Sequence, residues 1–267
     1  MFSLALLTVA VVMALLLTVA DAAVVPPQPE IACLDQTWTF DNQDFRQYFN
    51  LTCEETNVAF VDGMLRLTMT EECFSPTLQY KYENLYYART EVEFKASTKM
   101  GTATAFMRGW PEHSELDFEH TNLKEPTKIQ SMYFVHGKRV NGETEAGFHS
   151  VSGKPLGTEF HKYAIDYTPQ KVQWQVDGKG VRDLLKEDGK EYPEDAWSLR
   201  FNIWNGGLKN ADWAGKTDWN DGPHEVYLKS ITIQSYCDQK PPQSAEAAAL
   251  KQIPPTGTVA NPPQAAA

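Results

Sequence analysis

Length, composition and charge exclude several classes of protein before any motif is considered. The chain has 267 residues, 42% of them hydrophobic and 22% charged, which is enough for one globular domain with flanking segments. The formal net charge of −11 argues against a nucleic-acid-binding protein, because such proteins present a basic surface to phosphate groups. An acidic surface is compatible with action on a neutral polymer, but it does not identify one.

The first segment of the chain is typical of a signal peptide. Residues 2–20 are almost wholly apolar, and Ala20-Asp21-Ala22 supplies the small residues that signal peptidase requires. We therefore predict a signal peptide over residues 1–22, followed by a Pro-rich leader over residues 23–30, and a secreted protein with no membrane attachment after cleavage. An uncleaved anchor is the alternative, because no Lys or Arg precedes the segment and its length approaches a bilayer span.

Four cysteines fit an oxidising compartment: Cys33, Cys53, Cys73 and Cys237. They form no CxxC pair and have no His at zinc-ligand spacing, so we predict no metal site. Of the three pairings, we favour a local Cys53–Cys73 bond and a Cys33–Cys237 bond between the ends of the domain; the alternative is that some remain free. A sequon at Asn50 predicts N-glycosylation, which agrees with secretion.

Short segments of alternating apolar and polar residues predict a β-rich domain. The clearest are 65–69, 90–96, 114–120, 163–167, 172–176 and 225–228. Asp177-Gly178 predicts a hairpin between strands 171–176 and 179–184, although 181–187 is alternatively a helical turn. About a dozen such strands predict one antiparallel sandwich.

The C-terminal residues 239–267 are mainly Pro, Ala and Gln and cannot form a core, so we predict a disordered tail. The tail lacks the hydrophobic segment of a lipid-anchor signal, so we expect no anchor of that kind. The predicted folded domain therefore comprises residues 31–238.

Three acidic side chains share one face of a predicted strand. In Ser114-Glu115-Leu116-Asp117-Phe118-Glu119, alternation places Glu115, Asp117 and Glu119 together and turns the apolar residues to the core. Crowded carboxylates raise at least one pKa, which gives a glycosidase both a nucleophile and a protonated acid. A solvated strand face decorated with acids is the alternative. Alpha carbons four residues apart lie roughly 13 Å apart, so the glutamates must lean together to reach the ~5.5 Å of a retaining pair.

The acidic pattern resembles the Glu-x-Asp-x-Glu signature of glycoside hydrolase family 16. Further segments follow in the order of the fungal Crh-type cell-wall transglycosylases, which join chitin to β-glucan, and the resemblance covers about residues 85–236. These segments are 130–134, 147–149, 160–167, 172–174, 202–207, 213–215 and 222–223. Ser114 and His120 stand where that group usually has Asp and Trp.

The resemblance implies a concanavalin-like β-jelly-roll sandwich of two antiparallel sheets, with a sugar cleft along the concave sheet. It also implies that Glu115 is the nucleophile, Asp117 its helper and Glu119 the acid/base. We therefore expect an extracellular or cell-wall retaining enzyme, monomeric and without a cofactor, that transfers a β-glycan, chitin to β-glucan, to a sugar or to water. The alternatives are a plain β-1,3- or mixed-linkage glucanase, a xyloglucan-type transglycosylase, and a carbohydrate-binding protein with inactive acids.

Aromatic residues near Gly- and Asn-rich turns are candidates for stacking on sugar rings. Trp213 and Trp219 lie in loop-like surroundings and are predicted to bind substrate, whereas Trp204 lies at a strand end and fits the core and the cleft equally. Tyr133 and Phe134 point to opposite faces, so one of them lines the cleft. We predict Tyr133, because its hydroxyl can bind a sugar.

Three polar residues near the acids receive separate interpretations. The resemblance makes His149 a candidate hydrogen-bond partner for a bound sugar, although a lone histidine is usually structural. His120 faces the core side by strand parity. Arg108 lies close enough in sequence to tune the acids, but a surface arginine is the simpler interpretation.

Overall fold

The computed structural model describes residues 33–82, 84–109, 113–140 and 146–239. The predicted signal peptide, the Pro-rich leader and residues 240–267 of the predicted tail lie outside them. The described residues form two antiparallel sheets, which confirms the predicted sandwich. None of the helices in these ranges is long and apolar enough to cross a membrane.

One sheet has seven strands and carries the predicted acids. An inner strand, β8 (Glu115–His120), holds all three and pairs with β9 and β7. In order across the sheet, the strands are β10 (Gly147–Ser150), β9 (Lys128–Phe134), β8 (Glu115–His120), β7 (Thr102–Gly109), β14 (Leu199–Asn205), β5 (Thr77–Tyr80) and β2 (Phe49–Leu51).

The second sheet has eight strands and closes the core from the other side. In order, they are β13 (Lys179–Leu185), β12 (Lys171–Val176), β11 (His161–Tyr167), β6 (Ala88–Lys95), β15 (His224–Ser235), β4 (Met64–Met69) and β3 (Val58–Val61), with β1 (Asp35–Trp38) also paired to β15. Helical structure in the described residues is limited to a 3-10 turn, Asp44–Gln47, and two single-turn helices, α1 (Glu54–Asn57) and α2 (Ala211–Ala214).

The core fills the space between the sheets because alternate residues of each strand turn inward. Leu116 and Phe118 of β8 and Phe201 of β14 are fully buried against the second sheet's Phe94 and Tyr163. Since successive side chains of a strand alternate, Glu115, Asp117 and Glu119 lie on the opposite face of the seven-stranded sheet. We call that surface the acid face.

The hairpin predicted at Asp177-Gly178 is confirmed. Both residues adopt positive φ angles (48° and 77°), as a two-residue hairpin turn requires, and they join β12 to β13. The alternative of a helical turn over residues 181–187 is wrong, because Leu184 pairs with Val172 in the sheet. Cross-strand pairing overrides the local helical preference of this segment.

Both favoured disulfides are present. Cys33 bonds Cys237, 204 residues away, and Cys53 bonds Cys73. The first links the segment before β1 to the segment after β15, two strands that pair with each other. The sheet therefore brings these two cysteines together, and the bond closes the ends of the domain.

Arg108 is fully buried, so its interpretation as a surface residue is wrong. It pairs with Leu116 across β7 and β8 and therefore points to the core. Its guanidinium donates hydrogen bonds to four backbone carbonyl oxygens and lies 5.3 Å from the Tyr167 ring centroid; those carbonyls belong to Leu85, Tyr86, Ala88 and Ala196. Burial lowers the Arg108 pKa to about 10.

We expect Arg108→Met to lower the free energy of unfolding by at least about 3 kcal/mol, because buried carbonyl groups would lose their donor. Urea unfolding measures this change. Arg66→Met is the matched control: Arg66 is partly exposed and pairs with Glu225, so its loss should cost about 0.5 kcal/mol or less. Equal costs for the two variants would contradict the structural role assigned to Arg108.

Candidate active site

The predicted acidic residues lie together on the acid face. Cross-strand pairing places Glu115 opposite Gly109, Asp117 opposite Met107 and Glu119 opposite Ala105. Asp117 and Glu119 are only 1% and 6% exposed, and Glu115 is partly buried. The carboxyls are therefore recessed, which does not fit a solvated strand face.

Strand β8, which we call the acid strand, is bonded through the core to the second sheet. The indole N–H of Trp174, in β12 of the other sheet, donates a 3.0 Å hydrogen bond to the backbone carbonyl of Asp117. Trp174 is fully buried, so this bond crosses the sandwich interior. It ties the middle of the acid strand to the second sheet, a link that sequence alone did not predict.

A partly buried carboxylate, Asp195, fixes the start of strand β8. Asp195 Oδ1 accepts a 2.8 Å hydrogen bond from the backbone N–H of Ser114, and its other oxygen lies 3.0 Å from His113 Nδ1 and 3.4 Å from His136 Nδ1. Hydrogen bonds from Ser114 hold the pKa of Asp195 below its usual range despite burial. Asp195 therefore remains ionised and links three segments immediately before Glu115.

Asp117 and Glu115 share a proton-dependent hydrogen bond. Burial raises the pKa of Asp117 well above its usual value, and the charges of Glu115 and Glu119 raise it further. No N–H or O–H donor from the described residues reaches either Asp117 oxygen. Its carboxyl partner is Glu115, and a bond between two carboxyls requires a proton. When protonated, Asp117 donates to the Glu115 carboxylate, and this hydrogen bond opposes the rise that burial causes in the Glu115 pKa.

Glu119 is protonated at neutral pH. Burial and the charge of Glu115 raise the Glu119 pKa to about 8, against an opposing hydrogen bond from Trp204. Trp204 pairs with Ala103 of β7 and therefore lies on the acid face. The sequence left Trp204 equally compatible with the core and the cleft, and the structure places it on the cleft side.

Trp213 extends the aromatic surface beside Glu119. Its ring stacks on Trp204 with centroids 5.7 Å apart and an interplanar angle of 28°. Its indole N–H donates a 2.9 Å hydrogen bond to Gln130 Oε1, and Gln130 is the β9 residue opposite Glu119. The chain Glu119–Trp204–Trp213–Gln130 joins the proposed acid to a partly exposed aromatic wall.

A cavity of about 420 Å³ opens beyond this wall. It is lined by Thr121, Lys124, Glu125, Phe148, Asp212 and Trp213. Phe148 is 52% exposed and pairs with Gln130 across β10 and β9, so it lies on the acid face. The volume is within the ~300–1,000 Å³ common for ligand-binding cavities.

Two predicted substrate-binding residues lie on the wrong face. Tyr133 pairs with Leu116 and packs in the core 6.5 Å from Trp174, so the prediction that it lines the cleft is wrong. Its neighbour Phe134, opposite Glu115, lies on the acid face instead. His149 pairs with the fully buried Ile129 and bonds Ser131 on the core side, so its prediction as a sugar ligand is also wrong.

Both errors arose because the sequence did not show which alternate residues of β9 and β10 face the acids. Register relative to Glu115 determines which residues of β9 and β10 face the acids, and that register is set by pairing between strands rather than by either strand alone. Phe148, adjacent to His149, occupies the position that the prediction sought. The available sequence signal was its aromatic side chain, within a segment already matched to the family pattern.

The structure also shows the positions of three other residues that the sequence analysis singled out. Trp219 stacks on Phe74 with centroids 6.2 Å apart and contacts His224; its role in substrate binding stays a prediction. His120 is 2% exposed on the core side of β8, as strand parity predicts. Asn50 lies in β2 and pairs with Gln79, so its side chain shares the acid face at the sheet edge.

Within the described residues, no three or more His, Cys, Asp or Glu side chains are arranged to hold a metal ion. The carboxyls of the acid face lie close enough together for their charges to raise the pKa of Asp117 and Glu119. Proton transfer and nucleophilic attack are therefore the chemistry that these side chains support.

Comparison with known proteins identifies the family. Residues 45–221 match the profile of Glycosyl hydrolases family 16, and this segment contains the whole acid strand. The chain belongs to family 16 of the glycosyl hydrolases.

Curated relatives point to one group within that family. The chain is 28% identical over 199 residues to Crh-like protein 2 of Botryotinia fuckeliana, covering 71% of this chain and 43% of the relative. It is 30% identical over 207 residues to Crh-like protein 3 of Aspergillus fumigatus, covering 70% and 55%. The chain therefore spans about half the length of these relatives or less.

Solved structures support the fold. A Crh5 transglycosylase in complex with NAG aligns with a TM-score of 0.66 at 26% identity, covering 77% of this chain and 85% of that one. A Bacillus licheniformis beta-glucanase aligns with a TM-score of 0.64 at 19% identity, covering 75% and 98%. These alignments confirm the β-jelly-roll sandwich.

Proposed function

We propose that the chain is a retaining β-glycan transglycosylase of the cell wall. The observation that carries this proposal is the placement of Glu115, Asp117 and Glu119 as recessed carboxyls on one face of β8. Burial and the charge of Glu115 raise the pKa of Glu119 to about 8, whereas a hydrogen bond from Asp117 opposes the rise that burial causes in the pKa of Glu115. A retaining glycosidase needs such a pair, one carboxylate to attack and one acid to protonate the leaving group.

The proposed reaction proceeds in two displacements. Glu115 attacks the anomeric carbon, Glu119 gives its proton to the departing glycosidic oxygen, and a covalent glycosyl-enzyme forms. Glu119, now ionised, removes a proton from the incoming hydroxyl, which displaces Glu115 from the anomeric carbon. When the incoming hydroxyl belongs to a sugar, the outcome is transfer. When it belongs to water, the outcome is hydrolysis.

The 420 Å³ cavity is the proposed site of the acceptor sugar. One of its walls, Trp213, stacks on Trp204, and Trp204 bonds Glu119, so the cavity opens beside the group that must deprotonate the acceptor. Trp213 and Phe148 offer aromatic faces to the apolar face of a sugar. A sugar bound there would also keep water from the glycosyl-enzyme, which favours transfer.

The chemistry of the polymers comes from the relatives. The Crh-like relatives and the Crh5 transglycosylase complex with NAG, together with the sequence resemblance, support chitin as donor and β-glucan as acceptor. Both disulfides support secretion, since such bonds persist in oxidising compartments. N-terminal sequencing and mass spectrometry of secreted protein test cleavage near residue 22 and a glycan on Asn50.

An oligosaccharide-transfer assay tests the function. We expect fluorescent β-glucan acceptors to be extended from chitin donors, and laminarin and xyloglucan to be poorer donors. In Phe148→Ala, transfer relative to hydrolysis should fall by about tenfold, because loss of one stacked aromatic ring costs roughly 1 kcal/mol or more. Phe60→Ala, on the other sheet and similarly exposed, is the control and should leave the ratio unchanged.

The alternatives predict different results in this assay. Hydrolysis of laminarin or mixed-linkage glucan without transfer would assign a plain glucanase. Preferential transfer of xyloglucan would assign a xyloglucan-type enzyme. Binding of oligosaccharides without any product would overturn the enzymatic proposal and leave a carbohydrate-binding protein.

A further inference from the structure

Arg200 lies on the acid face two strands away from the acids. In β14 it pairs with Met107 of β7, which in turn pairs with Asp117 of β8. Residues directly opposite each other in antiparallel strands share a face, so Arg200 and the acids point to the same side. It is only 5% exposed, which makes it a recessed cation in the floor of the proposed cleft.

Arg200 is in register with Met107 and Asp117, and Glu115 is the next residue along β8 on the same face, so Arg200 approaches Glu115 diagonally. Glu115 is opposite Gly109 in β7, so no β7 side chain fills the acid face between Glu115 and β14 at that position. Two strand spacings separate β8 from β14, about 9–10 Å, which a long arginine side chain can largely cover. A buried guanidinium costs several kcal/mol unless a negative group compensates it, and Glu115, whose pKa the charge of Arg200 lowers, is such a group.

We propose that Arg200 is a positioning residue that holds the Glu115 carboxylate ionised and oriented for attack on the sugar. This inference rests on the proposed function. It adds to the proposed catalytic site a residue, Arg200, that lies outside the acidic pattern of β8. Arg200 acts through Glu115 rather than on the substrate, and it offsets the negative charge that Glu119 adds to the same strand.

The electrostatics of the site agree with this role. Burial raises the pKa of Glu115, the hydrogen bond from Asp117 lowers it, and the charge of Arg200 lowers it further. The other charged groups near Glu115 are Asp117 and Glu119 on its own strand and, beside Ser114, the cluster of Asp195, His113 and His136. Both histidines of that cluster are already engaged with Asp195.

The neighbour of Arg200 supports a ligand in this part of the cleft. Gln79 of β5 is opposite Arg200, is 8% exposed, and its Nε2 has no hydrogen-bond partner among the described residues. A buried donor without a partner costs about 1–3 kcal/mol, so a bound hydroxyl would satisfy it. Arg200 thus lies between the nucleophile and a group ready to bind sugar.

The test is the pH dependence of kcat/KM for wild type, Arg200→Met and Arg200→Lys. Without the positive charge the pKa of Glu115 rises, so the acidic limb should move to higher pH by about one unit in Arg200→Met. Arg200→Lys should return most of that shift. Arg66→Met removes a cation from the other sheet, so the acidic limb of its kcat/KM profile should stay at the wild-type pH. An unmoved acidic limb in a cooperatively folding Arg200→Met overturns the proposal.

A second readout separates this inference from the proposed function. Carbon-13 NMR titration of the Glu115 carboxyl reports its pKa directly, even if no glycan is turned over. Its midpoint should rise in Arg200→Met, and an unchanged midpoint overturns the proposal. Should Arg200→Met not fold, Arg200→Gln replaces it. Failure of both neutral variants to fold would assign Arg200 to sheet stability and also overturn it.

Discussion

Replacing Glu115 by Gln should lower kcat by several orders of magnitude, roughly 10⁴-fold, because the amide cannot attack the anomeric carbon. The substitution preserves the size of a partly buried side chain, so the fold should persist. Stopped assays with a β-glycan donor measure the loss. Glu187→Gln, an exposed acid outside β8, is the control and should retain wild-type activity.

The stereochemistry of a rescue reaction identifies the nucleophile. In Glu115→Ala, added azide can occupy the vacated space and attack the anomeric carbon once, which yields an inverted glycosyl azide. In Glu119→Ala, azide should instead intercept the glycosyl-enzyme and give a product of retained configuration. A Glu115→Gln variant that keeps even a tenth of wild-type rate would remove Glu115 from the nucleophile role.

Loss of the Glu119 proton should limit activity on the alkaline side. Because Glu119 must be protonated to act as the acid, kcat/KM should fall as pH rises through about 8, the pKa of its buried carboxyl. Glu119→Gln should lose about 10²–10⁴-fold on natural β-glycans. An aryl glycoside with a good leaving group needs no proton, so formation of the glycosyl-enzyme from it should be much less affected.

Trp204→Phe provides the matched control for this pH effect. The indole hydrogen bond lowers the Glu119 pKa, so its removal should move the alkaline limb to higher pH while Glu119 still serves as acid. An alkaline limb that persists unchanged in Glu119→Gln would show that another group controls it. The paired measurements therefore separate the residue that donates the proton from the residue that tunes it.

Local patterns predicted the strands and the acids well. Alternation of apolar and polar residues correctly placed strands at residues 172–176 and 225–228 within β12 and β15, because each strand needs one apolar face for the core. Asp177-Gly178 correctly predicted a hairpin, since its residues tolerate positive φ. Patterns of this kind depend on residues within a few positions of one another.

Predictions failed where the outcome depended on distant residues. Tyr133 and His149 were assigned to the cleft, but their register with β8 and β9 turns them to the core side. Arg108 looks like a surface residue in sequence, yet carbonyl groups from residues 85–88 and 196 enclose it. Arg200 and Phe148 went unassigned because their place beside the acids arises only when β14, β7, β9 and β10 assemble.

By itself, the sequence determined that Glu115, Asp117 and Glu119 share one face, because side-chain alternation is a property of a single strand. It also favoured the Cys53–Cys73 and Cys33–Cys237 bonds, which the structure contains. Only the tertiary structure decided which side chains surround the acids and which carboxyl keeps its proton. Burial and neighbouring charge control protonation, and both arise from residues that are far apart in the chain.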